Sequence, residues 1–192
     1  MVTNFRPMSE VQRDNWIMNV GALDPKLCDT IIQEYKQLPH QEGATYNNDA
    51  THRKSIIRWV HEEYDFKNYL MRWIHDANQI AFSVNITPQI GEMQFTEYSS
   101  EYKGEFKAHQ DINWNNHQPF DRKLSMTIQL SDGADYDGGD FQFIDTPSPN
   151  PNNFRKKGTI LIFPSYLVHQ VTPVVRGTRY SLVCWVSGPR WR

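Results

Sequence analysis

The sequence predicts a mainly β protein with a helical layer at its N-terminus. After residue 88, about seven short segments rich in β-branched and aromatic residues alternate with turns, and no long helical pattern lies among them. Before residue 88, apolar residues recur instead at the spacing of helices. Short strands in this arrangement are typical of a β-sandwich, jelly roll or barrel. The 192 residues favour a single domain, with 1–87 as the mainly helical layer and 88–192 as the β core.

The helical layer has two predicted helices. The first begins at Asp24-Pro25, because aspartate suits the N-cap and proline the first helical position. The second covers about 66–82, where seven apolar residues form one stripe. Between the helices, the polar stretch 40–54 reads as a loop, and "SIIRWV" at 55–60 predicts a short strand.

The predicted strands of the core alternate with turn sequences such as "YDGGD" and "TPSPNPNN". In chain order, the strands cover about 90–98, 104–112, 123–132, 138–145, 158–164, 167–175 and 179–187.

The composition is that of an ordinary globular protein, with 39% hydrophobic residues and a net charge of −2. This charge gives no reason to expect nucleic acid or an anionic membrane as a partner. Cys28 and Cys184 stand far apart, which favours buried free thiols in a reducing compartment over a disulfide framework. No signal-peptide pattern and no apolar run of about 20 residues occurs, so we expect a cytoplasmic protein.

The stretch "FKAHQDINW" at 106–114 places His109 and Asp111 two residues apart. On a strand these side chains point the same way and so converge. His169, in "YLVHQVTP", is the obvious candidate for a third ligand. Two histidines and one carboxylate leave coordination positions open, which is typical of non-haem Fe(II) oxygenases, although zinc is not excluded by these residues alone.

Arg179 adds a cation to this set. It follows His169 by ten residues, after a turn at Arg176-Gly177, and so opens the next predicted strand. From there the guanidinium of Arg179 can point back into the same cavity. A guanidinium is always charged, so in a buried position it requires an anion as its partner. A dicarboxylate that chelates a metal at one end and pairs with Arg179 at the other meets both requirements.

In this order and spacing, HQD at 109–111, His169 and "HQVTPVVRGTRYSLVCW" resemble the 2-oxoglutarate- and Fe(II)-dependent dioxygenases. Within them, the sequence is similar to the prolyl 4-hydroxylase branch in its short microbial and viral form. The likeness covers about residues 90–189, and the Gly-Gly pair of "YDGGDFQF" adds to it. The resemblance implies a double-stranded β-helix, which is a jelly roll with the active site at its mouth.

The resemblance also implies roles for individual residues. His109, Asp111 and His169 would be the iron ligands, and Arg179 would pair with the distal carboxylate of 2-oxoglutarate. Further co-substrate contacts are implied at Tyr98, with Tyr102 as a competing assignment, and at Gln129, which stands where relatives often have a tyrosine. Ser181 and Trp185 are weaker candidates, for a hydroxyl contact and for closing the pocket.

The function implied is hydroxylation of a C–H bond with O₂, in which 2-oxoglutarate yields succinate and CO₂ and ascorbate supports activity. A prolyl or other peptidyl residue is the first expectation, with an open groove; a free amino acid or small metabolite, in a closed pocket, is the alternative. Substrate choice is expected on loops 40–54 and 112–122. A jelly-roll binding module that has lost catalysis, and a zinc hydrolase, are further hypotheses, but no HExxH helix supports the latter.

Overall fold

The computed structural model describes residues 14–43, 52–61 and 63–191. Its helices are α1 (Pro25–Tyr35), α2 (Tyr64–Ala77) and α3 (Pro151–Phe154), with a π-helical turn at Asn78–Phe82 and a 3₁₀ turn at Ser100–Tyr102. Its strands are β1 (Ile17–Asn19), β2 (Gln41–Glu42), β3 (Arg53–Lys54), β4 (Ile56–Trp59), β5 (Glu92–Ser99), β6 (Glu105–His109), β7 (Phe120–Gln129), β8 (Tyr136–Gly138), β9 (Phe141–Phe143), β10 (Ile160–Pro164), β11 (His169–Val171) and β12 (Val174–Pro189).

The strands form two antiparallel sheets that pack against each other. The larger has the order β1-β10-β7-β12-β5-β4-β2, with β8 pairing to the start of β12. The smaller has the order β3-β6-β11-β9. This arrangement confirms the predicted mainly β jelly-roll core.

Most predicted elements are found close to their predicted positions. Asp24 caps α1 by accepting a hydrogen bond from the backbone N of Lys26 at 2.8 Å, and the strand predicted at 55–60 is β4. Two segments are exceptions. The turn predicted at Arg176-Gly177 lies inside β12, which runs from Val174 to Pro189, so Arg179 does not open a strand. The second exception is the segment 138–145. The chain turns at Gly138 and Gly139, which both have positive φ, so β8 and β9 belong to different pairings.

The segment before residue 88 contributes strands as well as helices. β1, β2 and β4 extend the larger sheet, and β3 lies at an edge of the smaller one. Strands of two or three residues, such as β1, β2 and β3, are too short to show a periodic pattern in the sequence.

The alternation of side chains along the central strands decides which face of the larger sheet meets the helices. In "LSMTIQL" (124–130), every second residue, beginning with the first, is fully buried in the cluster that contains α1 and α2. These residues are Leu124, Met126, Ile128 and Leu130. The intervening residues face the other way, toward the smaller sheet. β12 shows the same division: Leu182 and Cys184 face the helices, whereas Ser181 and Trp185 line a cavity between the sheets.

A second, largely aromatic cluster lies between the two sheets, formed by Tyr98, Tyr136, Phe141, Phe143, Phe154, Leu161, Phe163, Val171 and Val174. Cys28 and Cys184 are both buried free thiols, which confirms that prediction. None of the helices within the described residues has the length and apolar character that crossing a bilayer requires.

Candidate metal and co-substrate site

Three metal-competent side chains meet where β6 and β11 pair. His109, the last residue of β6, is the register partner of His169, the first residue of β11. Asp111 lies in a bend just beyond β6, where its backbone N donates to Ser165 O at 3.0 Å. The spacing of His109 and Asp111 predicted that both lie on the strand; Asp111 lies instead in the bend, which still brings it to His109. One ligand atom from each residue lies within 4.8 Å of the others.

The distances between these groups suit a shared ion better than direct hydrogen bonds. His109 Nε2 lies 3.8 Å from Asp111 Oδ1, and His169 Nε2 lies 3.7 Å from Asp111 Oδ2. Both separations exceed ordinary hydrogen-bond length. All three side chains are buried or nearly so, so an uncompensated carboxylate here carries a desolvation cost that a cation offsets.

Backbone carbonyls fix the orientation of both imidazoles. His109 Nδ1 donates to Lys107 O at 2.8 Å, and His169 Nδ1 donates to Leu167 O at 2.9 Å. A carbonyl only accepts, so Nδ1 carries the proton and the Nε2 lone pair of each ring is directed to Asp111. Such partners are what orient metal-ligating histidines.

Asp111 is held in the same way from the neighbouring sheet. Ser125, on the cavity face of β7, donates from Oγ to Asp111 Oδ2 at 2.6 Å, and its Oγ also contacts Ser165 Oγ at 2.9 Å. Burial alone would raise the pKa of Asp111, but the two imidazoles, Arg122 and the Ser125 hydroxyl outweigh it and hold the pKa below its usual value. The carboxylate is therefore ionised, as a metal ligand must be.

Burial acts on His109 in the opposite sense. Desolvation, followed by the neighbouring His169, lowers the pKa of His109 to about 3. The ring is neutral at physiological pH, with its Nε2 lone pair available. The donor set is thus two imidazoles and one carboxylate, which is the set that leaves three positions open on an octahedral ion.

The three residues lie on the wall of a cavity of about 510 Å³ between the two sheets. Arg179 is deeper in the same cavity, with only 1% of its surface exposed. Its Nε donates to Gln129 Oε1 at 3.0 Å, but its buried Nη1 has no hydrogen-bond partner among the described residues. A buried, unpartnered guanidinium nitrogen is costly, so this position calls for an anion.

The structure separates the two candidate tyrosines. Tyr98 lines the cavity beside Arg179, whose guanidinium carbon lies 5.6 Å from the Tyr98 ring centre. Tyr102 donates its hydroxyl to Glu97 O at 3.0 Å and is not among the cavity residues. The geometry therefore favours Tyr98 over Tyr102 as a co-substrate contact.

Gln129 contacts Arg179 rather than the cavity. Its amide nitrogen donates to Ser131 O at 2.9 Å and to Tyr136 Oη at 3.1 Å, which leaves its oxygen to hold Arg179 Nε. The sequence analysis expected this amide to bond the co-substrate carboxylate; in the structure both amide hydrogens are already taken. Ser181 and Trp185 do line the cavity.

Several cavity residues were not singled out by the sequence analysis. Arg53, which belongs to the loop 40–54 on which substrate choice was expected, is 8% exposed and lines the cavity; Gln94, Glu92 and Arg122 line it as well. Trp114 in loop 112–122 is half exposed and outside the cavity. Of loop 40–54, Gln41, His52 and Arg53 reach the cavity, whereas 44–51 lie outside the described residues.

These residues fit Fe(II) together with 2-oxoglutarate. The two imidazoles and the carboxylate provide the ligands that non-haem iron uses, with positions to spare for a chelating co-substrate. The unpartnered Nη1 of Arg179 matches the carboxylate at the far end of that co-substrate.

Comparisons with known proteins agree with this fit. Residues 93–187 match the family model of the 2OG-Fe(II) oxygenase superfamily. A PKHD-type hydroxylase of Synechococcus sp. (strain CC9605) is 37% identical over 85 residues, which cover 42% of this chain and 38% of the relative. The chain thus matches well under half of the length of that curated relative.

Solved structures share the fold over nearly the whole chain. The viral collagen prolyl hydroxylase of Paramecium bursaria Chlorella virus-1, in complex with 2-oxoglutarate, superposes with a TM-score of 0.70 at 16% identity, over 91% of this chain and 97% of that one. A Pseudomonas putida prolyl-4-hydroxylase gives 0.69 at 19% identity, over 92% and 94%. The family match, together with the His109, Asp111 and His169 cluster, leads to one conclusion: the chain belongs to the 2OG-Fe(II) oxygenase superfamily.

Proposed function

We propose that the protein is a 2-oxoglutarate-dependent dioxygenase that hydroxylates a C–H bond in a prolyl or other peptidyl residue and releases succinate and CO₂. One observation carries the proposal. The cluster of His109, Asp111 and His169 opens into the same cavity as a buried arginine whose Nη1 lacks a partner among the described residues.

His109, Asp111 and His169 would hold the iron. When bound there, ferrous iron supplies the oxygen activation that couples decarboxylation of 2-oxoglutarate to hydroxylation of the substrate. The protein fixes the two Nε2 atoms through the carbonyls of Lys107 and Leu167, so the ligands need no rearrangement when the ion binds.

Arg179 would orient the co-substrate. Arg179 lines the cavity, its Nη1 has no partner among the described residues and its Nε is held by Gln129, so the guanidinium offers a fixed position for the distal carboxylate. Tyr98 provides the adjoining wall. Phe141 and Phe163 line the cavity as well, and their ring centres lie 5.3 and 4.9 Å from that of His169, so this ligand has apolar neighbours that strengthen charged contacts nearby.

The cavity extends in a way that suits a chain better than a single amino acid. A second pocket of about 480 Å³ adjoins it and shares Gln41 and Trp59 with it. Side by side, the two pockets offer room for residues on one side of the reacting residue, whereas a free amino acid needs one closed pocket. The names of the viral collagen prolyl hydroxylase and the Pseudomonas enzyme point in the same direction.

Turnover tests the proposal. Purified protein with Fe(II), ascorbate and 2-oxoglutarate should release succinate, and a hydroxylated peptide should gain 16 mass units. Asp111→Ala should abolish both products and iron binding, because one ligand and the charge that attracts the ion are lost.

Arg179→Ala provides the matched comparison. It should raise the half-saturation concentration of 2-oxoglutarate by about a hundredfold, since a charge-assisted contact is lost, while iron affinity stays unchanged. If the wild-type protein binds no 2-oxoglutarate and forms no succinate, the proposal fails and a non-catalytic binding module becomes the better explanation.

A further inference from the structure

Two of the buried arginines have no carboxylate partner, and both line the same cavity. Among the described residues the buried arginines are Arg53, Arg58 and Arg179. Arg58 is paired with Glu97 at 3.2 Å, whereas no described carboxylate lies within 4.0 Å of Arg53 or Arg179. The proposed function assigns an anion to Arg179. It leaves the charge of Arg53 unexplained.

The contacts of Arg53 pair two of its nitrogens with neutral groups and do not neutralise its charge. Its Nε donates to Ser55 Oγ at 2.7 Å and its Nη2 to Gln94 Oε1 at 2.8 Å. Its guanidinium carbon lies 4.4 Å from the ring centre of Phe106. A neutral hydroxyl, a neutral amide and an aromatic face stabilise a guanidinium, but an anion does so more strongly.

Burial makes the remaining charge costly. Desolvation lowers the pKa of Arg53 below its ordinary value, and the nearby Tyr98 and Asp111 offset only part of this effect. Asp111 is also shared with the two imidazoles, so its charge is assigned to the metal cluster.

The absence of a side chain at Gly43 leaves room for the Arg53 side chain. A Cβ at Gly43 would lie 2.3 Å from Ser55 Oγ and 2.7 Å from Arg53 Nε, so only glycine fits beside the held side chain. Arg53 is therefore clamped between the backbone at residue 43, Ser55, Gln94 and Phe106. Such pre-organisation lowers the entropic cost of binding a ligand.

The other charges of the cavity are balanced without Arg53. Arg122, stacked over Trp185 at 4.0 Å, is paired with Glu92. With iron and 2-oxoglutarate bound, the two charges of the ion and the charge of Arg179 cancel those of Asp111 and the dicarboxylate. One positive charge, on Arg53, then remains in the cavity.

We infer that Arg53 binds a carboxylate of the substrate, so that the enzyme acts on acidic substrates: a peptide with Asp or Glu beside the hydroxylated residue, or a small molecule with a free carboxylate. The inference rests on the proposed function. It assigns to Arg53 a role in substrate specificity that is separate from the metal ligands and from the co-substrate anchor.

The test uses matched probes that differ only in one negative charge. Capped pentapeptides with a central proline and one flanking Glu are compared with the same peptides carrying Gln, and L-proline is compared with L-prolinamide. Each probe is titrated by calorimetry into protein loaded with Mn(II) and 2-oxoglutarate. In this form the protein binds the probe but does not convert it. The affinity for 2-oxoglutarate is measured first, so that failure of the proposed function is seen separately.

The wild-type protein should bind the acid of one pair about tenfold tighter than its amide, and the pair that shows this identifies the source of the carboxylate. Arg53→Gln should remove the preference while leaving 2-oxoglutarate affinity unchanged. Lys54→Gln is the matched control, because Lys54 is the next residue, pairs with Glu105 on the surface and should leave the preference intact.

Arg53→Lys covers the case in which the glutamine variant does not fold. Lysine keeps the positive charge but lacks the planar guanidinium that can donate two parallel hydrogen bonds, so a reduced preference for the acid should remain. The inference is overturned if the wild type binds acid and amide equally in both pairs, or if Arg53→Gln keeps the preference. It is also overturned if Arg53→Gln weakens 2-oxoglutarate tenfold, since Arg53 would then serve the co-substrate.

Discussion

At the residue scale, the site depends on short-range partners that orient each functional group. The two histidines are turned by carbonyls two residues before them, and Asp111 is turned by a serine from another strand. The first kind of partner is local, whereas the second needs the sheet to form. The orientation of Asp111 therefore depends on Ser125, a residue of another strand, and so on the tertiary structure.

Ser125→Ala should weaken metal binding without unfolding the protein. Loss of the Oγ contact frees Asp111 to rotate, and we expect the dissociation constant for Fe(II) or Mn(II) to rise about ten- to a hundredfold by calorimetry. Ser181→Ala is the control, since Ser181 lines the same cavity without contacting Asp111. Equal metal affinity in wild type and Ser125→Ala would contradict this role.

At the element scale, the turn between β5 and β6 positions two parts of the site together. β5 carries Tyr98 and β6 ends at His109, and the chain between them passes close to the backbone of β5. A Cβ at Gly104 would lie 2.7–2.9 Å from backbone atoms of Tyr98 and Ser99. Backbone atoms cannot move aside as a flexible side chain can, so this approach requires glycine.

Gly104→Ala should destabilise the protein by about 1–3 kcal/mol in denaturant unfolding, because the added methyl forces the strand ends apart. The half-saturation concentration of 2-oxoglutarate should rise as well, since Tyr98 is displaced. Gly91→Ala offers a matched control at the other end of β5, where a Cβ would meet only Trp185 O at 3.8 Å. Similar unfolding curves for both variants would show that the close approach is unimportant.

At the scale of the whole molecule, the structure has two separate hydrophobic clusters, and we expect one to contribute mainly to stability and the other to support the site. The first packs α1 and α2 on one face of the larger sheet and contains Leu70 and Ile74. The second lies between the sheets and adjoins the cavity through Phe141 and Phe163. A change in the first cluster should therefore lower stability with little effect on the site.

Leu70→Ala tests this division. Leu70 is fully buried in α2, so the cavity left by alanine should cost about 2–5 kcal/mol of unfolding free energy, while metal affinity measured below the melting transition stays unchanged. Leu27→Ala in α1 is the control, because Leu27 is 37% exposed and should cost much less. A parallel loss of metal affinity in Leu70→Ala would refute the separation.

The sequence by itself determined most strands of the core and the start of α1 at Asp24-Pro25, whereas β1, β2 and β3 were too short to predict. The pattern of "LSMTIQL" separates the apolar face, which packs on the helices, from the polar face, because side chains alternate on any strand. The spacing in the sequence also grouped His109, Asp111, His169 and Arg179 into one hypothesis, although Asp111 lies in a bend and not on the predicted strand.

Only the tertiary structure decided the register and the surroundings of the site. The pairing of His109 with His169, 60 positions later in the chain, depends on which strands become neighbours, and local pattern does not encode this. Arg53 belongs to a polar stretch that was predicted to be a loop, so the neighbouring sequence did not indicate that it is buried. In the structure it lies in the edge strand β3, which pairs with β6 and places Arg53 in the interior. Gln129 was expected to meet a ligand, yet its partners from distant strands turn it to Arg179. Local periodicity fixes direction, whereas burial and charge pairing depend on contacts between distant segments.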